Sequence, residues 1–173
     1  AIGMGNTVIC KPSELTPMTA DLLMKSIDEV GLPKGVINLI HGDGVGAGAP
    51  LVSHEDVDLV SFTGGTSTGA NVAQSAAASF KKLSLELGGK NASIVFDDCD
   101  LEKTVSGVVR SGFLNQGQVC LCGSRILVQE NVYDEFVQRF VNEVEGMKIG
   151  DPSNEDTKLG ALISPEHLSK VEE

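Results

Sequence analysis

The sequence is poor in aromatic and basic residues. It has no Trp, one Tyr and six Phe, so aromatic residues make up only 4% of the 173 residues. A base-stacking surface of the kind that binds single-stranded nucleic acid is therefore not expected. Lys and Arg number 13 against 24 Asp and Glu, which gives a net charge of -11. Because binders of nucleic acid or of anionic membranes present basic surfaces, neither is an expected partner.

Cysteines are few, and long apolar runs are missing. The four cysteines do not form the dense framework of small secreted domains, so a reduced, cytoplasmic location is expected. No stretch approaches the roughly 18 to 20 apolar residues that a membrane span needs. Cys120 and Cys122 form a C-x-C pair without a second Cys or His cluster, which is a poor zinc signal, so no metal site is predicted.

Strand-like and helix-like segments alternate along the chain, whose 41% hydrophobic content is enough for a packed core. The predicted strands are 7–11, 36–40, 59–62, 82–87, 93–96 and 125–129. The predicted helices are 16–30, a short one ending near 53, an Ala-rich one ending near 79, 101–114 and 132–144, and a polar loop covers 150–158. This rhythm predicts βαβ units, hence an α/β fold with a parallel sheet. The adjacent Gly88 and Gly89 let the backbone turn freely and predict a domain boundary there.

Glycine-rich turns follow two of the predicted strands. The first turn, predicted over 41–48, contains Gly44, Gly46 and Gly48 in a G-x-G-x-G pattern. This pattern misses the usual G-x-G-x-x-G spacing and also fits a plain tight turn. The second turn, 63–69, opens a helix. Backbone N–H groups and the helix dipole attract phosphate at such turns, so two of them at one edge of a parallel sheet predict a ligand crevice. Neither turn ends in Gly-Lys-Ser/Thr, which excludes a Walker-type phosphate loop.

Cys120 is a candidate nucleophile. It follows the predicted helix 101–114 in a polar, glycine-containing stretch, where local amides or charge can favour the thiolate. For a lone Cys in such a stretch, an ordinary free cysteine is the more common explanation. The three histidines are scattered, so the sequence neither supports nor excludes a Cys–His pair.

Glu86 is a candidate general base. It lies in the apolar strand 82–87, where alternation places it with Ser84 on the face opposite the leucines. A solvent-facing carboxylate accounts for this placement. Because parallel strands are usually covered on both faces, a carboxylate in mid-strand is also typical of an acid–base group, and both interpretations stay open.

Five segments, in their order and spacing, resemble the aldehyde dehydrogenase superfamily, and the resemblance covers essentially the whole chain. The segments are Gly5-Asn6-Thr7-Val8 to Lys11-Pro12-Ser13-Glu14, Gly31-Leu32-Pro33 to Asn38, Ser61-Phe62-Thr63-Gly64, Leu85-Glu86-Leu87-Gly88-Gly89-Lys90, and Asn115-Gln116-Gly117-Gln118 to Cys120 with Gly123-Ser124-Arg125. Within the superfamily they most resemble the branch of the 2-aminomuconic-semialdehyde dehydrogenases. The resemblance implies part of a Rossmann-like NAD-binding domain over 1–88, followed by part of an α/β catalytic domain over 89–173.

The resemblance also implies a reaction, the NAD-dependent oxidation of a small-molecule aldehyde to a carboxylic acid. Cys120 would form a thiohemiacetal and then a thioester, and Glu86 would activate the water that hydrolyses it. The implied cofactor-binding residues are Lys11, Ser13, Glu14, Gly44, Gly48, Thr63, Gly64, Gly65, Thr66, Ser67, Thr68, Gly69 and Leu87. A carboxylate at Glu14, near the adenosine ribose, favours NAD over NADP because it would repel a 2′-phosphate.

The chain departs from the family pattern in two ways. Many members have Ser at the position of Gly65 and an acidic residue at that of Ser67, so one contact to the pyrophosphate is expected to be absent. The family's oxyanion-stabilising Asn and the Glu that grips the nicotinamide ribose would lie outside residues 1–173. We therefore expect a central fragment of the enzyme, inactive by itself, from a full-length protein that forms homo-oligomers.

Two other functions compete with this interpretation. A non-catalytic structural or interaction protein could retain the fold, but the presence of both Cys120 and Glu86 argues against it. A phosphorylating dehydrogenase, which resolves the thioester with coenzyme A or phosphate, would share the cysteine but would not need the base. Glu86 therefore favours hydrolysis.

Overall fold

A computed structural model describes all residues from 1 to 173. The chain divides into two compact units, Ala1–Glu86 and Leu87–Glu173. The assignment of cofactor binding to 1–88 and of catalysis to 89–173 stays a prediction.

The first unit alternates short strands with helices. Its strands are β1 (Val8–Cys10), β2 (Ile37–Leu39), β3 (Leu59–Gly64) and β4 (Lys82–Leu87, whose last residue begins the second unit), and its helices are α1 (Met18–Glu29), α2 (Ala49–Ser53) and α3 (Thr66–Ala77). β1 and β2 are parallel, with Val8 opposite Ile37 and Cys10 opposite Leu39. Helix α1 contacts β2, and α3 contacts both β3 and α2.

The predicted α/β class with parallel strands is confirmed. Ladder hydrogen bonds join β1 to β2 and β3 to β4 as two separate pairs. Helical periodicity and short apolar runs predict which segments are strands, whereas pairing between strands depends on contacts that sequence spacing does not encode.

The first glycine-rich turn is shorter than predicted. A five-residue π-helical turn spans Gly44–Gly48 and continues directly into α2, so only residues 41–43 remain as a connection. The Asp43 side chain caps this turn by accepting a hydrogen bond from the Gly46 N–H. An Asp at the N-cap satisfies an otherwise unpaired donor, which lets a glycine-rich segment begin a helix.

The second unit is a helix pair on a two-stranded sheet. It contains β5 (Ala92–Val95), α4 (Leu101–Phe113), β6 (Arg125–Val128), α5 (Tyr133–Glu145) and α6 (Pro165–Glu172). β5 and β6 are parallel, in register from Ala92 opposite Arg125 to Val95 opposite Val128. Helix α4 packs against α5.

A hydrophobic core lies inside the second unit. Its buried members are Val95 on β5, Val105, Val108 and Val109 on α4, and Phe136 on α5. The three valines are spaced three and one residues apart, which places them on one face of α4. Phe136 stacks on Phe140 with ring centroids 5.6 Å apart. This core supports the connection between α4 and β6, in which Cys120 lies.

Apart from α6, for which no bounds were predicted, the helices and strands named above agree in type and order with the sequence predictions, and their ends differ by no more than two residues. None of the helices combines the length and the apolar character that crossing a membrane requires. No group of three or more His, Cys, Asp or Glu side chains is placed to hold a metal ion.

Candidate functional site

Cys120 lies in a turn between α4 and β6. Its side chain is exposed and its thiol is free, whereas Cys122, also a free thiol, is only 6% exposed. The turn is closed by the N–H of Cys122, which donates to the carbonyl of Val119 at 2.9 Å. Of the two neighbouring thiols, only that of Cys120 is open to an electrophile, which is the first requirement for a nucleophile.

An unusual backbone precedes this turn. Asn115, Gln116 and Gly117 have φ angles of 53°, 56° and 71°, all in the left-handed region. Such a conformation costs about 1 to 3 kcal/mol for each non-glycine residue, and it occurs mostly where surrounding contacts hold it for a functional reason. When its amide is oriented to suit its neighbours, Gln116 donates to the Asn115 carbonyl at 2.8 Å and accepts from the Gly160 N–H at 2.9 Å. These residues belong to one of the segments that resemble the family, but their conformation was not predicted from the sequence.

The side chain of Asn91, the residue before β5, also holds the turn. The Asn91 Nδ2 donates to the carbonyl oxygen of Cys120 at 2.8 Å and to that of Cys122 at 3.4 Å. The Asn91 carbonyl in turn accepts from the N–H of Arg125 at 3.1 Å. Asn91 was not predicted as a site residue, because nothing in the sequence links it to Cys120, 29 positions further along.

A groove of about 310 Å³ lies beside the same turn. It is lined by residues of α4, by the residue that follows α4 and by residues close to Cys120 in the sequence: Gly107, Arg110, Ser111, Leu114, Val119, Leu121 and Cys122. Most of this lining is apolar. The groove can therefore accommodate a small organic group next to the turn that carries the exposed thiol.

Glu86 lies in β4 and is the last residue of the first unit. The strand alternates as predicted near this position, because Glu86 and Ser84 are exposed while Leu85 and Leu87 are half-buried. Leu83 departs from the pattern, since it is 38% exposed. The Glu86 carboxylate makes neither an ion pair nor a hydrogen bond with the chain, so its oxygens are free to accept hydrogen bonds from water.

The second glycine turn leaves a helix N-terminus without a partner from the chain. Gly65 is the N-cap of the twelve-residue helix α3 and has no side chain to cap it. The first-turn residues Thr66, Ser67 and Thr68 therefore present N–H groups and the positive end of the helix dipole, a donor set suited to phosphate. A Cβ built on Gly65 would meet no atom within 4 Å, so the approach to these groups is open. Gly69 is buried, and its N–H donates to the Gly65 carbonyl at 2.9 Å, which closes this turn.

The first glycine turn differs because a carboxylate of the chain already binds one of its N–H groups. Its N–H at Gly46 is already bonded to the Asp43 carboxylate, so an anion of the chain occupies the position that a phosphate would take. Gly44 borders open space, whereas a Cβ on Gly48 would lie 3.7 Å from the Cε of Lys11. The N-terminus of α3 therefore offers free N–H donors to an anion, whereas the N–H of Gly46 in this turn is already used.

Lys11 anchors the connection after β1. Its Nζ donates to the carbonyls of Pro12 at 2.6 Å and Gly42 at 2.9 Å, and it lies 3.8 Å from a carboxylate oxygen of Glu14. The Lys11 side chain is 16% exposed and that of Glu14 is 52% exposed. Ser13 uses its hydroxyl to accept from the Leu15 N–H at 3.3 Å. The fold thus brings Lys11, Glu14 and Gly48 together, with a carboxylate that is free to accept hydrogen bonds from sugar hydroxyls.

The remaining predicted cofactor residues lie at strand ends. Thr63 and Gly64 are the last two residues of β3, and Leu87 is the last residue of β4. A Cβ on Gly64 would lie 2.5 Å from the Phe62 ring. The strand ends, the uncapped α3 and the Lys11–Glu14 pair are donors and acceptors of the kinds that a dinucleotide requires.

The chain is similar to known proteins over nearly its whole length. The family model of the aldehyde dehydrogenase family matches residues 1–173. The 2-aminomuconic semialdehyde dehydrogenase of Mus musculus is 52% identical over 171 residues, which cover 99% of this chain and 35% of the mouse protein. The betaine aldehyde dehydrogenase of Bacillus subtilis is 45% identical over 172 residues, which cover 99% of this chain and 35% of that protein.

A solved structure shows the same likeness in three dimensions. The betaine aldehyde dehydrogenase of Staphylococcus aureus in complex with NAD⁺ superposes with a TM-score of 0.96 at 45% identity, covering 99% of this chain and 34% of that one. The chain thus spans about a third of the length of the relatives that it matches. The resemblance to the superfamily and to its 2-aminomuconic-semialdehyde branch is confirmed, and this chain belongs to the aldehyde dehydrogenase family.

Proposed function

We propose that the complete protein oxidises an aldehyde to a carboxylic acid with NAD, and that residues 1–173 carry its nucleophile, its base and part of its cofactor site. The observation that carries the proposal is the exposed Cys120 thiol, in a turn held by Asn91 and preceded by left-handed backbone. Family membership and the fit of the cofactor residues support it. The prediction that the isolated 173 residues are inactive belongs to the same proposal.

Cys120 is the proposed nucleophile. Its thiolate attacks the aldehyde carbon, and the new C–S bond converts the carbonyl oxygen into the oxyanion of a thiohemiacetal. When bound, NAD supplies the acceptor for the hydride that leaves this carbon. The carbon then remains on Cys120 as a thioester, one oxidation level higher.

Glu86 is the proposed general base. Its carboxylate takes a proton from water, and the resulting hydroxide adds to the thioester carbon. The C–S bond breaks, the carboxylic acid leaves, and the Cys120 thiolate is restored. This hydrolytic step distinguishes the proposal from a phosphorylating dehydrogenase, in which coenzyme A or phosphate would take the place of water.

NAD is the proposed cofactor, bound by the residues at the strand and helix ends. Thr66, Ser67 and Thr68 would meet the pyrophosphate through the N-terminus of α3. The Glu14 carboxylate would accept hydrogen bonds from the adenosine ribose and repel a 2′-phosphate, so NAD should bind more tightly than NADP. Calorimetry with the complete protein tests this preference, and equal or tighter binding of NADP would contradict it.

The substrate class is proposed from the names of the relatives. Their names point to semialdehydes of the muconic type and to betaine aldehyde, so these compounds form the first panel to test. We also propose a cytoplasmic homo-oligomer with no nucleic-acid or membrane partner, consistent with the net charge of -11 and the free cysteines. Size-exclusion chromatography with light scattering checks the oligomer.

The test compares single substitutions in the complete protein. Cys120→Ala should abolish NADH formation, because no thiohemiacetal can form. Cys122→Ala is the matched control and should retain turnover, since its thiol is buried. Glu86→Gln should give a burst of about one NADH per active site followed by a steady state lowered about 100- to 10,000-fold, with a thioester on Cys120 in the mass spectrum.

Three results would contradict the proposal. Normal steady-state turnover in Glu86→Gln would remove its role as base. An acyl adduct on Cys122 would mean that the wrong thiol was assigned. No NADH from any aldehyde of the panel, with NAD bound, would favour a non-catalytic protein that retains the fold.

A further inference from the structure

The Asn91 side chain is hydrogen-bonded to the main chain of the turn that carries Cys120, the proposed nucleophile. One amide nitrogen spans the turn, donating to the carbonyl of Cys120 at 2.8 Å and to that of Cys122 at 3.4 Å. The Asn91 main chain extends the β5–β6 ladder through the hydrogen bond from Arg125. The turn is thus attached to the sheet through both the side chain and the main chain of one residue.

The rest of the turn does not supply this restraint. The carbonyls of Cys120 and Cys122 belong to a loop, and within the loop only the N–H of Ser124 donates to Cys122, at 2.9 Å. The carbonyl of Cys120 has Asn91 as its only partner. Without the Asn91 amide, the peptide after Cys120 could rotate, and the preceding left-handed segment could relax.

We propose that Asn91 is a positioning residue for Cys120: its amide fixes the peptide that follows the nucleophile and so sets the direction of the thiol. The role of Asn91 in turnover rests on the proposed function, whereas its effect on the thiol does not. Misplacing a reacting atom by about 1 Å can cost about 100-fold in rate. Loss of the amide should therefore lower kcat much more than it changes the KM for NAD, since the cofactor residues lie elsewhere in the chain.

The experiment substitutes Asn91 in the complete protein. Asn91→Asp keeps the shape of the side chain but turns a carboxylate oxygen towards the two carbonyls, so it replaces attraction with repulsion. We expect kcat to fall about 10- to 100-fold, with the KM for NAD changed less than about threefold. Asn91→Ser, whose hydroxyl can donate one hydrogen bond, should give a smaller loss.

A second measurement needs no turnover. The rate at which iodoacetamide alkylates Cys120, followed by mass spectrometry, depends directly on the orientation and accessibility of the thiol. It should change at least fivefold in Asn91→Asp, and less in Asn91→Ser. Thermal unfolding of each variant shows whether the protein remains folded, and Asn91→Ser provides the result if Asn91→Asp does not fold.

The chain contains a matched control in Asn38. Its Nδ2 likewise donates to two carbonyls, of Gly35 at 2.9 Å and of Val8 at 3.4 Å, in the other unit. Asn38→Asp should lower stability to a similar extent but leave kcat and Cys120 alkylation within about twofold.

The outcomes separate the two proposals. Equal effects of Asn91→Asp and Asn38→Asp on Cys120 alkylation, or no effect of either, would overturn the positioning role. A changed alkylation rate in Asn91→Asp, in a protein that oxidises no aldehyde, would overturn the proposed function and support the role of Asn91 in setting the thiol.

Discussion

The two units of the chain differ in how they are held together. The unit Leu87–Glu173 buries Val95, Val105, Val108, Val109 and Phe136 in one cluster. In the unit Ala1–Glu86, Ala76 is the only buried hydrophobic side chain, while large apolar side chains of α1 such as Leu22 and Leu23 are 57% and 60% exposed. The first unit therefore lacks a hydrophobic core of its own in this chain.

The difference shows which interactions organise each unit. In the first unit, the order near the predicted cofactor residues comes from backbone geometry and caps, as with Asp43 and Lys11. In the second unit, side-chain burial on a sheet and two helices supports the Cys120 turn. Burial of a large apolar side chain contributes about 1.5 to 3 kcal/mol, more than most single hydrogen bonds, so the second unit should be the more stable.

The largest expected effect comes from deleting a core side chain. Phe136 is 2% exposed and stacks on Phe140, so Phe136→Ala should lower the free energy of unfolding by about 3 to 5 kcal/mol. The matched substitution in the first unit, Leu22→Ala, removes an exposed side chain and should cost less than about 1 kcal/mol. Denaturant unfolding, with hydrogen exchange to locate the change, measures both.

Two results would contradict the difference in stability between the two units. If Leu22→Ala destabilised the chain as much as Phe136→Ala, the first unit would have a core that the burial pattern does not reveal. If protection in Phe136→Ala were lost equally in both units, the two units would unfold as one.

Glycine substitutions should have opposite effects in the two units. Gly42 has a φ of 144°, and a Cβ there would lie 2.6 Å from the Cβ of Ala47, so Gly42→Ala should destabilise by about 1 to 3 kcal/mol. Gly107 lies inside helix α4, where a Cβ would meet nothing within 4 Å. Gly107→Ala should stabilise by about 0.5 to 1 kcal/mol, because alanine is the better helix former.

Chemical denaturation of the two glycine variants provides the measurement. A neutral Gly42→Ala would mean that the connection after β2 can adjust its backbone. A destabilised Gly107→Ala would mean that α4 has a close neighbour at this position.

The smallest effect concerns acid sensitivity of the second unit. The ammonium of Lys103, 2.9 Å away, and the Lys103 backbone N–H hold the pKa of Asp100 below its usual range. Because the folded-state pKa is lowered, this stabilisation is present above the ordinary carboxyl range and is lost as the pH falls through the lowered value. Asn also caps helices well, so Asp100→Asn should differ slightly from the parent at neutral pH and less at about pH 3. Denaturant midpoints at both pH values test this, and a gap that widened in acid would contradict it.

Much of the local structure followed from the sequence. The strand 82–87 has the predicted bounds, and α4 and α5 lie where apolar periodicity placed them. Periodicity predicts α4 and α5 because each helix presents one side to the hydrophobic core of the second unit. The first glycine turn was predicted too long, because its helix depends on the Asp43 cap, a single hydrogen bond that glycine spacing does not reveal.

The candidate site was predicted in part. Cys120 and Glu86 were identified from their local patterns and the family resemblance, and their roles remain predictions. Asn91 was missed because its importance arises from a contact across 29 residues. The left-handed run from Asn115 was missed because Asn and Gly adopt such backbone mostly as single residues, and Gln116 between them does not favour it.

The sequence by itself determined the α/β class, the order of the elements, the acidic surface and the family, since these depend on local composition, periodicity and motif order. Only the tertiary structure decided that the strands join in pairs, that Cys120 is exposed while Cys122 is buried, and that Asn91 holds the turn between them. These features depend on contacts between residues far apart in the chain. Such contacts form only when packing brings the backbone segments together, and no local pattern specifies them.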